Sequence, residues 1–158
     1  MKNKKMSFKL GIISLACLIT FISCSNNNTY NSFEKIKDYN WSNSDTLFFK
    51  PNIKDITKNY DIYLSVRYQK KYDFSNLWLQ IYGLKKQPFD RIEIPLFKND
   101  GTPYGKGLKS NYTVNAGYLK NYKFKKSGIQ KIAIIQNMRK NPLPGVMDIG
   151  IIIKPALK

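Results

Sequence analysis

The chain predicts an all-β domain, an antiparallel β-sandwich of about seven or eight strands behind a cleaved signal peptide. Three observations carry this expectation. Past residue 33 the apolar residues recur with a period of two, as half-buried strands require, and no stretch there keeps the longer period of an amphipathic helix. Turn-forming clusters, Asn99-Asp-Gly-Thr-Pro103 and Asn141-Pro-Leu-Pro-Gly145, punctuate the apolar runs. Short strands at this spacing bury their apolar faces by stacking as two antiparallel sheets.

The N-terminal element is different in kind. Lys2, Lys4, Lys5 and Lys9 stand without an acid, Leu10–Ile22 is almost wholly apolar, and Ser23-Cys24 closes the run. A basic segment, an apolar segment and a small residue at the cut are the layout of a secretory signal. As a helix the apolar run would reach only ~20 Å, short of the ~30 Å of bilayer hydrocarbon. Phe21-Ile22-Ser23-Cys24 resembles a bacterial lipobox, whose Cys is lipidated and becomes the first mature residue. Cys17 is a rival site, but choosing it would leave an apolar segment of about seven residues, the lower limit for export. The expected division is 1–23 lipoprotein signal peptide, 24–33 lipidated N-terminus and polar tether, and 34–158 β-sandwich.

Strands are expected in order at Thr46–Phe49, Tyr60–Gln69, Leu77–Tyr82, Arg91–Leu96, Tyr122–Phe124, Lys131–Gln136 and Asp148–Lys154. Tyr60, Ile62, Leu64, Val66 and Tyr68 alternate with polar residues and Tyr63, and Leu77, Leu79 and Ile81 share one face of the next strand. The connection Lys70–Asn76 suggests that these two strands form a hairpin. Ile149, Ile151 and Ile153 alternate with Gly150 and Ile152, which predicts a final strand buried on both sides or at least central.

Composition removes several kinds of chemistry. The chain has no His, which excludes Ser-His-Asp and Cys-His nucleophilic sites and His-ligated zinc. No cofactor, metal or enzymatic activity is expected. The formal charge is +17; without the four signal lysines, 23 basic face 10 acidic side chains, leaving +13. Only Arg67, Arg91 and Arg139 are arginines, whereas arginine dominates phosphate and base recognition, so no nucleic-acid partner is expected. A basic surface near anionic lipid or glycan accounts better for the charge.

Candidate sites are few. Asp90 and Glu93 are the closest acids, but three residues apart on a strand they face opposite ways and cannot share a substrate; charge balance beside Arg91 is the better account. Gly101–Gly107 lacks phosphate-loop spacing, and Tyr122–Lys126 is what a strand with Tyr122 and Phe124 inward must look like. Tyr63, Trp78 and Tyr82 lie opposite the aliphatic rows of their strands, so they form either a second core layer or an exposed docking or sugar-stacking face. Arg139 and Asp148 are candidates for a structural pair across the Pro142–Gly145 loop, with Gln136 satisfying backbone groups.

Several segments together resemble the GldH-type gliding-motility lipoproteins. They are the Tyr72-Asp-Phe-Ser-Asn-Leu-Trp-Leu79 run, the Asn99–Leu108 glycine-rich segment, and above all Ile134-Ile-Gln-Asn-Met-Arg-Lys-Asn-Pro-Leu-Pro-Gly-Val-Met-Asp-Ile-Gly150. Trp41 fits as well. The resemblance implies a non-enzymatic envelope component needed for gliding and for linked type IX secretion, with machinery proteins and the membrane as partners. It carries no catalytic residue onto this chain, only the lipidated Cys, onto Cys24. Ser25 beside that Cys, and no acidic cluster at Ser25–Asn28, suggest the periplasmic side of the outer membrane. A surface or periplasmic glycan-binding lipoprotein of a polysaccharide-uptake system, stacking sugars on Trp78 and Tyr82, is the alternative.

Overall fold

Ile62, Leu64, Val66 and Tyr68 are fully buried on one side of their strand, as their spacing predicts, and Leu77, Leu79 and Ile81 do the same on the strand that follows. Each such side chain withdrawn from water contributes about 1.5–3 kcal/mol. These rows face one another across a single core. The computed structural model describes residues 29–85 and 88–157; Cys24, the signal segment and the first part of the expected tether lie outside the described residues.

The elements are β1 (Tyr30–Lys35), a 3₁₀ turn at Lys37–Tyr39, β2 (Asn40–Trp41), β3 (Leu47–Phe49), β4 (Asn52–Ile53), β5 (Tyr60–Gln69), β6 (Asn76–Tyr82), β7 (Asp90–Pro95), β8 (Lys106–Leu108), β9 (Asn111–Tyr122), β10 (Gly128–Ile129), β11 (Ile132–Gln136), β12 (Leu143–Pro144) and β13 (Val146–Pro155). A five-stranded sheet in the order β1-β13-β5-β9-β8 stacks on a four-stranded sheet β3-β11-β6-β7, and β10-β4 and β12-β2 are small two-stranded additions. All pairings are antiparallel. The fold is the expected all-β sandwich-like architecture, with more strands than expected. Among the described residues no helix is long and apolar enough to cross a membrane.

Three expectations are corrected. The proposed hairpin of β5 and β6 does not form: β5 pairs with β13 and β9, β6 with β11 and β7, so the intervening segment crosses between sheets. The tether does not extend to residue 33, because Tyr30–Lys35 pairs in register with β13, from Tyr30↔Ile153 to Lys35↔Asp148. The strand expected at Tyr122–Phe124 is instead the end of the twelve-residue β9, and Phe124 lies beyond it, packed on Tyr60 and Tyr122.

The final strand is central, as its apolar run predicts. Ile149, Ile151 and Ile153 enter the core, while on the outer face the Phe33 ring lies over Gly150. A Cβ at Gly150 would sit 2.5 Å from two carbons of that ring, so only glycine admits this approach.

Candidate functional site

The outer face of the four-stranded sheet carries a groove of about 460 Å³, lined by Phe74, Asn76, Trp78, Arg91, Asn137, Met138 and Arg139. Its position follows from the alternation of β6: with Leu77 and Leu79 in the core, Asn76, Trp78 and Gln80 must point outward. Register then sets Glu93 opposite Trp78 and Arg91 opposite Gln80 on β7.

The other wall is built where β11 ends. Gln136 is buried, its side-chain oxygen accepts the Met138 N–H at 2.8 Å, and its amide donates to the Lys140 carbonyl at 3.4 Å. This holds the following residues as a hook over β6. Within the hook the Asn137 N–H donates to the Trp78 carbonyl at 2.8 Å, and the Trp78 N–H donates to the Met138 sulfur at 3.2 Å. Gln80 donates to the Asn137 side-chain oxygen at 3.1 Å. At the far end the Tyr72 hydroxyl donates to the Asn76 carbonyl at 2.9 Å. The floor is therefore a half-buried Trp, Phe and Met set in a fixed polar frame.

Two cations rim this floor. Arg91 and Arg139 are exposed, and neither is among the ion pairs of the described residues. The adjacent acids are engaged elsewhere: Glu93 accepts from the Asn76 amide, Asp73 is paired with Lys140 at 2.7 Å, and Asp90 with Lys85 at 2.6 Å. Asp90, expected from sequence to balance charge beside Arg91, is thus paired with Lys85 instead. Apolar floor and unpaired guanidinium groups suit an extended ligand with an apolar side chain and a carboxylate.

The other expected sites are distributed differently. Tyr63 projects from the outer face of the five-stranded sheet, where Lys154 stands 5.7 Å over its ring, whereas Trp78 and Tyr82 project from the opposite side of the sandwich. The three aromatics do not form one patch. Tyr82 packs on Phe89 at 5.5 Å and donates to Gln80 at 3.1 Å; four residues from Trp78, it stands ~13 Å along the strand. The Arg139–Asp148 pair does not form. Asp148 is buried and accepts two guanidinium hydrogen bonds from Arg67, which lies directly opposite it on β5. Asp90 and Glu93 face opposite ways, as expected. Sequence reasoning reached Gln136 but missed Arg91, Asn137 and Phe74 as parts of a common surface. The Gln-Asn-Met-Arg run was the available signal. Among the described residues no three His, Cys, Asp or Glu gather as a metal site would need.

Comparison with known proteins adds a line of evidence independent of this geometry. The model of the GldH lipoprotein family matches residues 28–153, which span the sandwich from β1 into β13. The chain is 32% identical over 149 residues to a gliding motility lipoprotein GldH homolog of Christiangramia forsetii, covering 87% of this chain and 90% of that one. It is 27% identical over 150 residues to the gliding motility lipoprotein GldH of Flavobacterium johnsoniae, covering 89% and 92%.

Proposed function

This chain belongs to the GldH lipoprotein family, and from that premise we propose that it is a lipid-anchored, non-enzymatic component of the bacterial gliding machinery that also supports linked type IX secretion. Cys24 carries the lipid, the domain sits on the periplasmic side of the outer membrane, and the Arg91–Arg139 groove docks a protein of the machinery. The observation that carries the docking role is the groove itself. A family motif run, Gln136–Arg139, is spent on building a rigid wall beside Trp78 and on presenting a cation that is in no ion pair among the described residues. A non-enzymatic role is supported by the lack of His and by the divergent faces of Asp90 and Glu93. Anchoring raises the local concentration of the domain at the membrane, so that modest contacts suffice for occupancy.

Crosslinking and affinity capture from intact membranes test this reading, with Cys24→Ala and an Arg91→Ala/Arg139→Ala double variant as comparisons. Motility and secretion proteins should be enriched with the unsubstituted chain and lost in both variants. Capture of polysaccharide-uptake proteins in their place would favour the glycan-binding alternative, for which Trp78 is the remaining platform. Capture unchanged by the double arginine variant would remove the groove as the docking face.

A further inference from the structure

One end of the sandwich gathers lysines around exposed aliphatic side chains, and it is the end from which the chain leads back to Cys24. The registers fix which residues share that end. Tyr30 pairs with Ile153, Ile153 with Ile62, Ile62 with Leu119, and Pro155 with Tyr60, which in turn pairs with Tyr122. In the facing sheet Phe49 pairs with Ile132 and Tyr82 with Ala133, and the Tyr122 hydroxyl donates to the Leu84 carbonyl, bringing the two sheets together there. This end therefore holds Lys120 and Lys154 near the ends of β9 and β13, and Lys123, Lys125, Lys126 and Lys131 in the loops, all exposed.

The acids of the same end are each engaged. Asp55 is 3.4 Å from Lys58 and accepts from Thr57, Asp61 accepts the Asn121 N–H at 3.0 Å, and Asp90 is paired with Lys85. Between the lysines stand Ile56, Ile129 and Leu157, exposed to 37%, 66% and 95%. Lysines around protruding aliphatic side chains are the composition of a surface that rests on anionic headgroups and dips apolar side chains among the acyl chains. The Thr29 N–H already donates to the Ile153 carbonyl at 2.9 Å, so only the four residues Ser25–Asn28 stand between Cys24 and the sandwich. The five Cα-to-Cα steps from Cys24 to Thr29 cannot span more than about 18 Å.

The geometry points to this lysine end as a membrane-seating face that binds anionic phospholipid and orients the domain on the bilayer. The inference rests on the proposed lipid anchor at Cys24. Seated this way, the opposite end of the sandwich, with Lys106 and Leu108, faces away from the bilayer, and the Trp78 groove stands on the side wall where a neighbouring protein can reach it.

The test uses the mature acylated protein in phosphatidylcholine vesicles with or without phosphatidylglycerol. With Cys24 acylated and Cys17 removed with the signal, Ile129→Cys or Leu108→Cys gives a unique thiol for an environment-sensitive fluorophore. The label at 129 should be shielded from aqueous quencher several-fold more on phosphatidylglycerol vesicles than on neutral ones, and the label at 108 should not respond. High salt, or Lys123→Glu/Lys125→Glu/Lys126→Glu, should abolish the shielding while the protein still floats with the vesicles. Equal quenching at 129 and 108 on anionic vesicles overturns the seating face but leaves the anchor intact. A chain that fails to float overturns both, because the anchor itself is then missing.

Discussion

Arg67 and Asp148 face each other across the β5–β13 pair, and the carboxylate, 3% exposed, receives two hydrogen bonds from a guanidinium that is 47% exposed. The half-solvated partner makes the pair asymmetric. Arg67→Ala strands a buried charge, whereas Asp148→Asn leaves a group that needs less from its surroundings. Removing one member of a buried pair costs about 3–5 kcal/mol; screening at the exposed guanidinium lowers this to roughly 2–3 kcal/mol for Arg67→Ala. Chemical denaturation should also find Arg139→Ala close to the unsubstituted chain. A larger loss at Arg139 than at Arg67 would reverse the assignment.

Phe33 and Gly150 should be energetically coupled. Gly150→Ala alone places a methyl against the ring and should destabilise by about 1–3 kcal/mol, the usual cost of overpacking. With Phe33→Ala already present there is nothing to strike, and the cost should fall by at least about 0.5 kcal/mol. An identical cost in both backgrounds would mean that the ring is not what keeps this position glycine.

Gln136→Ala removes the group that holds Met138 and should cost about 1 kcal/mol or somewhat more, since it leaves a part-buried N–H unsatisfied. The more telling readout is partner capture. A collapsed hook should weaken it as much as the double arginine variant does, whereas Gln130→Ala, which loses a glutamine on another loop, should leave capture intact.

High pH should unfold the domain in a way that its tyrosines report. Burial raises the hydroxyls of Tyr72 and Tyr118 well above the ordinary 10.0, and it raises Tyr60, Tyr68 and Tyr122 as well. The sign follows from proton binding. Below pH 10 both states hold these protons and stability is unaffected; above it the unfolded chain loses them first, so stability falls with rising pH. Tyrosinate absorbance should therefore appear in two stages, with the later one coinciding with the loss of β circular dichroism. A single early stage in a chain that remains folded would place these hydroxyls in water.

The legible parts of this fold are those in which one strand's own faces differ. β5 and β6 announce themselves through alternation, and β13 through apolar residues on both faces. Alternation, however, states that a face is buried without naming the neighbour. A half-buried β5 followed by a half-buried β6 reads equally well as a hairpin or as a crossing between sheets, and the crossing is what forms. β9 is illegible for a related reason: its small and polar residues, such as Asn115, Ala116 and Gly117, keep most of it only partly buried. β1 reads as tether because Asn31 and Ser32 are polar; it becomes a strand because the apolar β13 needs a neighbour on its far edge. The site divides in the same way. Gln136 could be found from sequence as a polar residue beside an apolar strand, but the partner of Asp148 is set by cross-strand register, which nearness to Arg139 along the chain does not reveal.

β1 has a mechanical consequence. The hydrogen-bond ladder from β1 to β13 lies across the axis of β1. A pull on Thr29 along that axis would load the rungs of the ladder together, in shear, rather than peel them away one after another. Its resisting partner is β13, an interior strand flanked by β1 and β5, with Ile149, Ile151 and Ile153 buried in the core. A load along that axis would therefore fall on a part of the sandwich ill able to slide, and a tug that would unzip a hairpin would be spread across a whole strand.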